Sequence, residues 1–336
     1  MIGGALAILV LSFVPMLIYA AILWWLDRYE KEPLGLLTLA FIWGALPSVV
    51  LALIMQLVLD VPLTSVQDSS QLTYELLGAS VVAPLTEEGI KAVALLLLLL
   101  LLRHQIDSPL DGLIYGGMVG FGFAAVENIF YLFGAYSGGG LGSVIGLAFL
   151  RAGVFGLNHA MYTGFTGLGV ALALEVRHGL LKVALPVAGL AAAVATHALH
   201  NALATVASYA GGLALLAAVL VDWSGVLALI GVAFGTFFLE RRRIIAYGQA
   251  LVQVNTLSPD ELNVLKSTFQ RRLARLDLLF RGDVQRWWKI RRYHQKVTKA
   301  AFAWHRLQQG DTRARPRLVR LEQEFRQLRG ELTAQA

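Results

Sequence analysis

Apolar runs long enough to cross a bilayer recur along the first two thirds of the chain, and nothing else in the sequence restricts the fold as severely. About 20 apolar residues span a membrane as a helix, and in hydrocarbon a helix satisfies its own backbone N–H and C=O groups. Seven stretches qualify, at roughly 3–25, 35–60, 73–102, 112–134, 143–175, 183–208 and 212–238. With 57% hydrophobic and 15% charged residues over 336 positions, the composition is too apolar for a soluble domain. The expectation is an all-α, polytopic transmembrane helix bundle of about seven spans over residues 1–239, followed by a cytoplasmic helical C-terminal tail over residues 240–336. The first run has no basic n-region and no small-residue cleavage site, so it reads as a retained helix rather than a signal peptide. The fifth, of about 33 residues, exceeds one straight span and calls for a tilt, a bend or an interfacial entry near Gly142. The absence of cysteine excludes disulfides, thiolate nucleophiles and Cys-ligated zinc.

Basic residues alternate between the connections. Arg28 and Lys31, then Arg103, then Arg177 and Lys182, then Arg241, Arg242 and Arg243 follow alternate spans, while the intervening loops hold none. The positive-inside rule then puts the N-terminus outside and the C-terminus in the cytoplasm. Residues 240–336 carry 21 Lys and Arg against 9 Asp and Glu, whereas residues 1–239 carry 7 against 13. In the tail, Ser258, Pro259 and Glu261 spell a capping box that opens a helix. The stretch after it reads as cationic amphipathic helices. Contact with anionic lipid is the expected role of this tail, a cytoplasmic protein partner is a second, and no recognised module points to nucleic acid.

Within the spans, polar residues concentrate at one depth. Glu87 and Glu88 lie about fourteen residues into the third span, roughly 20 Å from its start and near the bilayer midplane. Charges cost at least about 2.5–3.5 kcal/mol each at that depth, so they mark function by default. Lys91, at i+4 and i+3, neutralises one of the two carboxylates, and a structural ion pair leaves the other unexplained. The fourth span adds Glu127 and Asn128, with Glu127 either supporting the site or hydrogen-bonded near the outer surface. The fifth places His159 as deep as the glutamates, with Arg151 two turns earlier, and the sixth supplies His197, His200 and Asn201, His197 and Asn201 sharing a face.

Carboxylate, imidazole and amide groups on different helices at similar depth suit hydrolysis of an amide. A buried glutamate beside a second carboxylate serves as base and then acid. Histidines hold the water, donate to the oxyanion or ligate a metal, and Asn201 offers an amide donor. Two versions use the same residues: a zinc ion on Glu88, His159 and His197 with an open position, or water activated by glutamate alone. The soluble-enzyme signature H-E-x-x-H is absent.

"EEGIK" at 87–91, "DGLIYGGMVGFGFAAVENIFY" at 111–131, "FGLNH" at 155–159 and "HALHN" at 197–201 together resemble the PrsW family of bacterial intramembrane proteases, within the superfamily of CAAX prenyl proteases and bacteriocin-processing enzymes. "DRYEKEP" at 27–33 is similar as well, and the resemblance covers roughly residues 20–210. It implies an integral protein of a bacterial cell membrane that cleaves membrane-anchored proteins such as anti-sigma factors. Glu87 or Glu88 would activate water with the other as its partner or ligand, His159 and His197 would stand in the site, and Asn201 would face the oxyanion; the polar residues of the spans themselves add Lys91, Glu127, Asn128, Arg151 and His200 as supporting groups. The tail departs from the family pattern, which leaves substrate and regulation unspecified. A proton-coupled transporter would also use buried acids and histidines, but the chain shows no internal repeat or paired broken helices. A CAAX-type prenyl protease would differ in preferring prenylated substrates, and an idle scaffold would have no reason to keep these costly groups.

Overall fold

A computed structural model describes residues 2–60, 63–67, 70–102 and 105–334, and every regular element among them is helical. Arg103, one of the basic residues used for orientation, lies outside the described residues. The chain divides into two compact units, Met1–Leu26 with Glu32–Ala233, and Asp27–Lys31 with Phe234–Ala336.

In the first unit, α1 (Ile2–Leu26) is followed by α2 (Leu34–Trp43) and α3 (Val49–Asp60), which a π-helical turn at Gly44–Ser48 joins. Pro47 lies in that turn, where the widened backbone accommodates a residue that lacks an N–H. A short helix α4 (Thr64–Gln67) precedes α5 (Gln71–Leu77), whose first turn is capped by Ser70 Oγ accepting from the Thr73 N–H at 3.3 Å. A second π-helical turn, Gly78–Val82, leads into α6 (Ala83–Leu101). Beyond it run α7 (Pro109–Ala148), a third π-helical turn at Phe149–Val154, α8 (Asn158–Glu175) and α9 (Gly179–Ala210). The last helix of this unit, α10 (Gly212–Gln253), continues into the second unit.

Five stretches among the described residues are long and apolar enough to cross a membrane: Gly3–Leu26, Leu34–Asp60, Pro109–Glu175, Gly179–Ala210 and Gly212–Gln253. The third of these covers two of the runs counted separately in the sequence, and α6, with three charges in its first half, is not one of the five.

Pro109–Glu175 is a hairpin. Gly140 has φ 68°, a left-handed conformation that a side chain disfavours, and it interrupts the helix there. Leu132 on one side of it packs with Val144 and Ala148 on the other. Gly112, Gly116 and Gly120 meet the backbones of Gly167, Thr163 and His159, so closely that a Cβ at any of the three would clash with a carbonyl. Spaced four apart, they form a small-residue stripe that lets two helix backbones touch. This contact sets the register of the site, because it fixes the His159 backbone against Gly120.

The second unit contains the end of α10, then α11 (Pro259–Leu265), α12 (Thr268–Phe280), α13 (Val284–Gln308) and α14 (Ala314–Thr333). Its core is built from Tyr29, Ile244, Tyr247, Leu265, Val297 and Phe325 among others. Ser258 and Glu261 form the reciprocal capping box of α11, and Arg329 grips the same Glu261 carboxylate with two hydrogen bonds at 2.7 and 2.8 Å.

Candidate active site

Helix α6 continues the π-helical turn without a break, and Pro84 at its start supplies no N–H to the carbonyls of that turn, a gap the widened backbone accommodates. One turn on, Glu87, Glu88 and Lys91 are all buried, where α6 packs against α8 and α9. The two adjacent carboxylates differ in what surrounds them. Glu88 is fully engaged: Oε1 accepts from Lys91 Nζ at 2.7 Å and pairs with His197 Nδ1 at 3.1 Å, and Oε2 accepts from Thr163 Oγ1 at 3.1 Å. Among the described residues Glu87 has one side-chain hydrogen bond, accepted by Oε1 from Gln56 Nε2 at 3.1 Å. Its Oε2 lies 3.6 Å from Lys91 Nζ and 3.9 Å from His197 Nε2, and among the described residues it has no hydrogen-bond partner.

Donor and acceptor rules assign the imidazoles. An ammonium only donates, so Lys91 Nζ, 3.1 Å from His159 Nδ1, makes that nitrogen an acceptor. His159 Nε2 then carries the proton and donates it to Glu127 Oε2 at 2.9 Å. A carboxylate only accepts, so His197 Nδ1–H faces Glu88 and its Nε2 keeps the lone pair. The Tyr162 ring stacks on His197 at 4.6 Å between centroids with 13° between planes, which holds that orientation.

The remaining expected residues are also brought here. Glu127 binds Arg151 Nη2 at 2.5 Å as well as His159. Arg151 Nε donates to Asn128 Oδ1 at 2.8 Å, and the guanidinium lies over the Tyr131 ring at 3.7 Å. Both basic residues inside the apolar runs therefore have a carboxylate partner. His200 does not join the glutamates; its Nδ1 contacts Asp222 Oδ2 at 2.6 Å. Asn201 gives one amide hydrogen to the Ala79 carbonyl of the π-helical turn at 2.7 Å, and a second remains on the same nitrogen.

A cleft of about 400 Å³ opens on this cluster, lined by Gln56, Glu87, Phe123, Arg151, His200 and Asn201 among others, and Glu88 does not line it. A smaller cavity beside it is lined by His159, Tyr162 and His197.

Five contributors escaped the sequence reading: Gln56, Asn158, Tyr162, Thr163 and Asp222. Asp222 had a usable signal, since a lone acid within an apolar run is costly. It is buried, and Asn158 Nδ2 donates to its Oδ2 at 2.9 Å. The other four are uncharged, and polar side chains of that kind are common in spans.

One donor atom from each of Glu87, Glu88, His159 and His197 falls in a group whose members all lie within 4.8 Å of one another. Carboxylate oxygen and imidazole nitrogen are the donors zinc takes. The buried, unpartnered Glu87 Oε2 also fits a cation. Glu88 Oε1 and His159 Nδ1 are instead held by the Lys91 ammonium, so the lone pairs left unengaged belong to Glu87 Oε2 and His197 Nε2.

Comparison with known proteins bears on the family of the chain. A family model described as PrsW family intramembrane metalloprotease matches residues 32–233. Protease PrsW of Clostridioides difficile (strain 630) is 36% identical over 131 residues, 38% of this chain and 51% of that protein. The match thus spans about half the length of that relative. No solved structure matches the chain.

Proposed function

The chain belongs to the PrsW family of intramembrane metalloproteases, and from that premise we propose that it hydrolyses a peptide bond of a membrane-anchored protein with Glu87 as the base. The observation that carries this reading is the asymmetry of the glutamate pair: the free oxygen belongs to Glu87, which lines the cleft, while Glu88 is fully hydrogen-bonded away from it.

A water donating one hydrogen to Glu87 Oε2 and the other to His197 Nε2 would keep its lone pairs for the scissile carbonyl. Glu87 takes the proton as the water oxygen bonds to the carbonyl carbon. The proton then passes to the departing amine as the C–N bond breaks, leaving Glu87 ionised again. Asn201 lines the same cleft, and its second N–H would donate to the oxyanion. Lys91 and Thr163 hold Glu88, and Glu88 in turn holds the His197 tautomer.

A divalent ion would be held by Glu87 and His197, with His159 or Glu88 completing the set on release from Lys91, and would supply Lewis acidity and a lowered pKa for bound water. The alternation of basic loops supports an outside N-terminus and a cytoplasmic tail. The family resemblance supports substrates among membrane-anchored regulators such as anti-sigma factors.

The test is cleavage of a membrane-anchored reporter by purified protein, before and after chelation, with zinc content measured beside the His159→Ala/His197→Ala variant. Loss of cleavage in Glu87→Gln and in His197→Ala with folding intact is expected. Unchanged cleavage in both variants would refute the reading.

A further inference from the structure

Charge was the sequence feature that tied the tail to lipid, but much of that charge is engaged internally. Lys289 pairs with Glu331 at 3.1 Å, Lys299 with Glu30 at 2.6 Å, Lys296 with Glu324, and Arg329 with Glu261 at 2.7 Å. What stands out on this unit is an inverted helix. A surface helix ordinarily turns its apolar stripe inward and its charges to water, and α12 does the opposite.

Its inward side carries Arg271, buried, which donates through Nε to the Leu265 carbonyl at 2.7 Å and through Nη1 to Thr298 Oγ1 of α13 at 3.0 Å. Its outward side carries Phe269, Leu273, Leu276 and Phe280, at 68%, 49%, 46% and 88% exposure. Their spacing of four, three and four residues makes a single stripe. Past the turn at Gly282, Val284 and Trp288 extend the apolar surface at 53% and 51% exposure. With Leu279 beside the stripe, seven exposed large apolar side chains in 20 residues exceed the scattered exposure normal for a protein surface.

We infer that this face of α12 and the start of α13 lies in the interfacial layer of an anionic bilayer, with Phe269, Leu273, Leu276, Phe280, Val284 and Trp288 buried among the acyl chains and the flanking arginines at the phosphates. Of the eight Lys and Arg in residues 268–292, Arg271 is buried and Lys289 pairs with Glu331, and the other six against two Asp complement an anionic surface and oppose a second copy of the same face. Arg291 lies over the Trp287 and Trp288 rings at 5.6 and 5.2 Å, joining the basic rim to the aromatic edge. Tryptophan and arginine together are the residue types of the membrane–water boundary. The surface is also close at hand, because the unit is joined without a break to α10, a candidate span, so no diffusional search is needed.

The absence of native cysteine makes the test direct. Phe280→Cys, Leu273→Cys and, as a control on α14, Gln323→Cys each give the full-length chain one site for an environment-sensitive fluorophore. The labelled chains are reconstituted in nanodiscs of phosphatidylcholine alone or mixed with phosphatidylglycerol. In anionic discs the labels at 273 and 280 should shift to the blue and be quenched by aqueous acrylamide several-fold less than the label at 323. A label at 280 or 273 as accessible as that at 323 in both lipids would overturn the inference and leave the face to a protein partner. Protection that rises with protein concentration would overturn it in favour of a second copy, and equal protection in both lipids would overturn the anionic surface. These readouts need no proteolysis, so they stand whether or not the assigned activity does.

Discussion

Replacing each of the two adjacent glutamates by glutamine should separate a structural defect from a chemical one. Glu88→Gln leaves the shape unchanged but removes the carboxylate that lies 2.7 Å from the buried Lys91 ammonium. Breaking a buried pair by removing one partner costs about 3–5 kcal/mol, because the other charge is left uncompensated. Glu87, at 3.6 Å from the ammonium, offsets only part of that loss. Glu87→Gln deletes a carboxylate whose Oε2 has no hydrogen-bond partner and keeps a carbonyl oxygen for Gln56, so its effect on stability should be small. Its effect on rate should be large: a general base contributes about 10²–10⁴-fold, equivalent to about 3–5 kcal/mol on the barrier. Thermal unfolding of the detergent-purified chain reads the first quantity, and single-turnover cleavage of a membrane-anchored reporter reads the second. Glu88→Gln should melt well below wild type, while Glu87→Gln should melt with wild type and cleave at least about 100-fold more slowly. The opposite pattern, a stable Glu88→Gln and an unfolded Glu87→Gln, would refute the division of roles.

Other variants probe the supports of the site. Gly120→Ala puts a Cβ into the His159 carbonyl, so overpacking of about 1–3 kcal/mol should lower the melting temperature and cleavage together; unchanged melting would mean the hairpin has slack at this contact. Asp222→Asn removes the charged partner of His200 Nδ1, an interaction worth about 1.5–3 kcal/mol, and should slow cleavage by about 10–100-fold if His200 serves the cleft it lines. In the second unit, burial and then the Arg271 and Arg275 charges hold the His294 imidazole well below its ordinary 6.5. The unfolded chain takes up this proton near pH 6.5 and the folded chain only well below, so stability is complete above that pH and falls as pH drops through it, by up to about 1.4 kcal/mol per unit. Melting of the full-length protein followed through a label on this unit should show that slope, and His294→Gln should flatten it.

Much of the candidate site was legible in the chain because cost is a local property. A charge in an apolar run is expensive wherever its partners stand, so Glu87, Glu88, Lys91, Arg151, His159 and His197 could be picked out from hydropathy and depth, while Glu127 is assigned to the site rather than the outer surface only by its bond to His159. Helix termini were legible for the same reason, since a capping box such as Ser258 with Glu261 closes within four residues. The inverted face of α12 was partly legible: its apolar period is written in the sequence, but a period does not say which side of a helix is covered.

The sequence therefore carries by itself the helical, membrane-embedded class of the chain and most of the charged members of its polar cluster, both set by the free energy of placing individual residues in hydrocarbon. What the tertiary structure alone decided is the role of each member. Glu87 and Glu88 are neighbours in the chain, yet about 100° of rotation around α6 gives one a lysine, a histidine and a threonine and leaves the other, with an unpartnered oxygen, at the lining of a cleft. Asp222 reaches His200, and His159 reaches Glu127, only through helix packing, the second by way of the Gly112, Gly116 and Gly120 stripe. Such pairings depend on which helix faces meet, and that is fixed by steric fit between distant segments, a property that no single stretch of sequence contains.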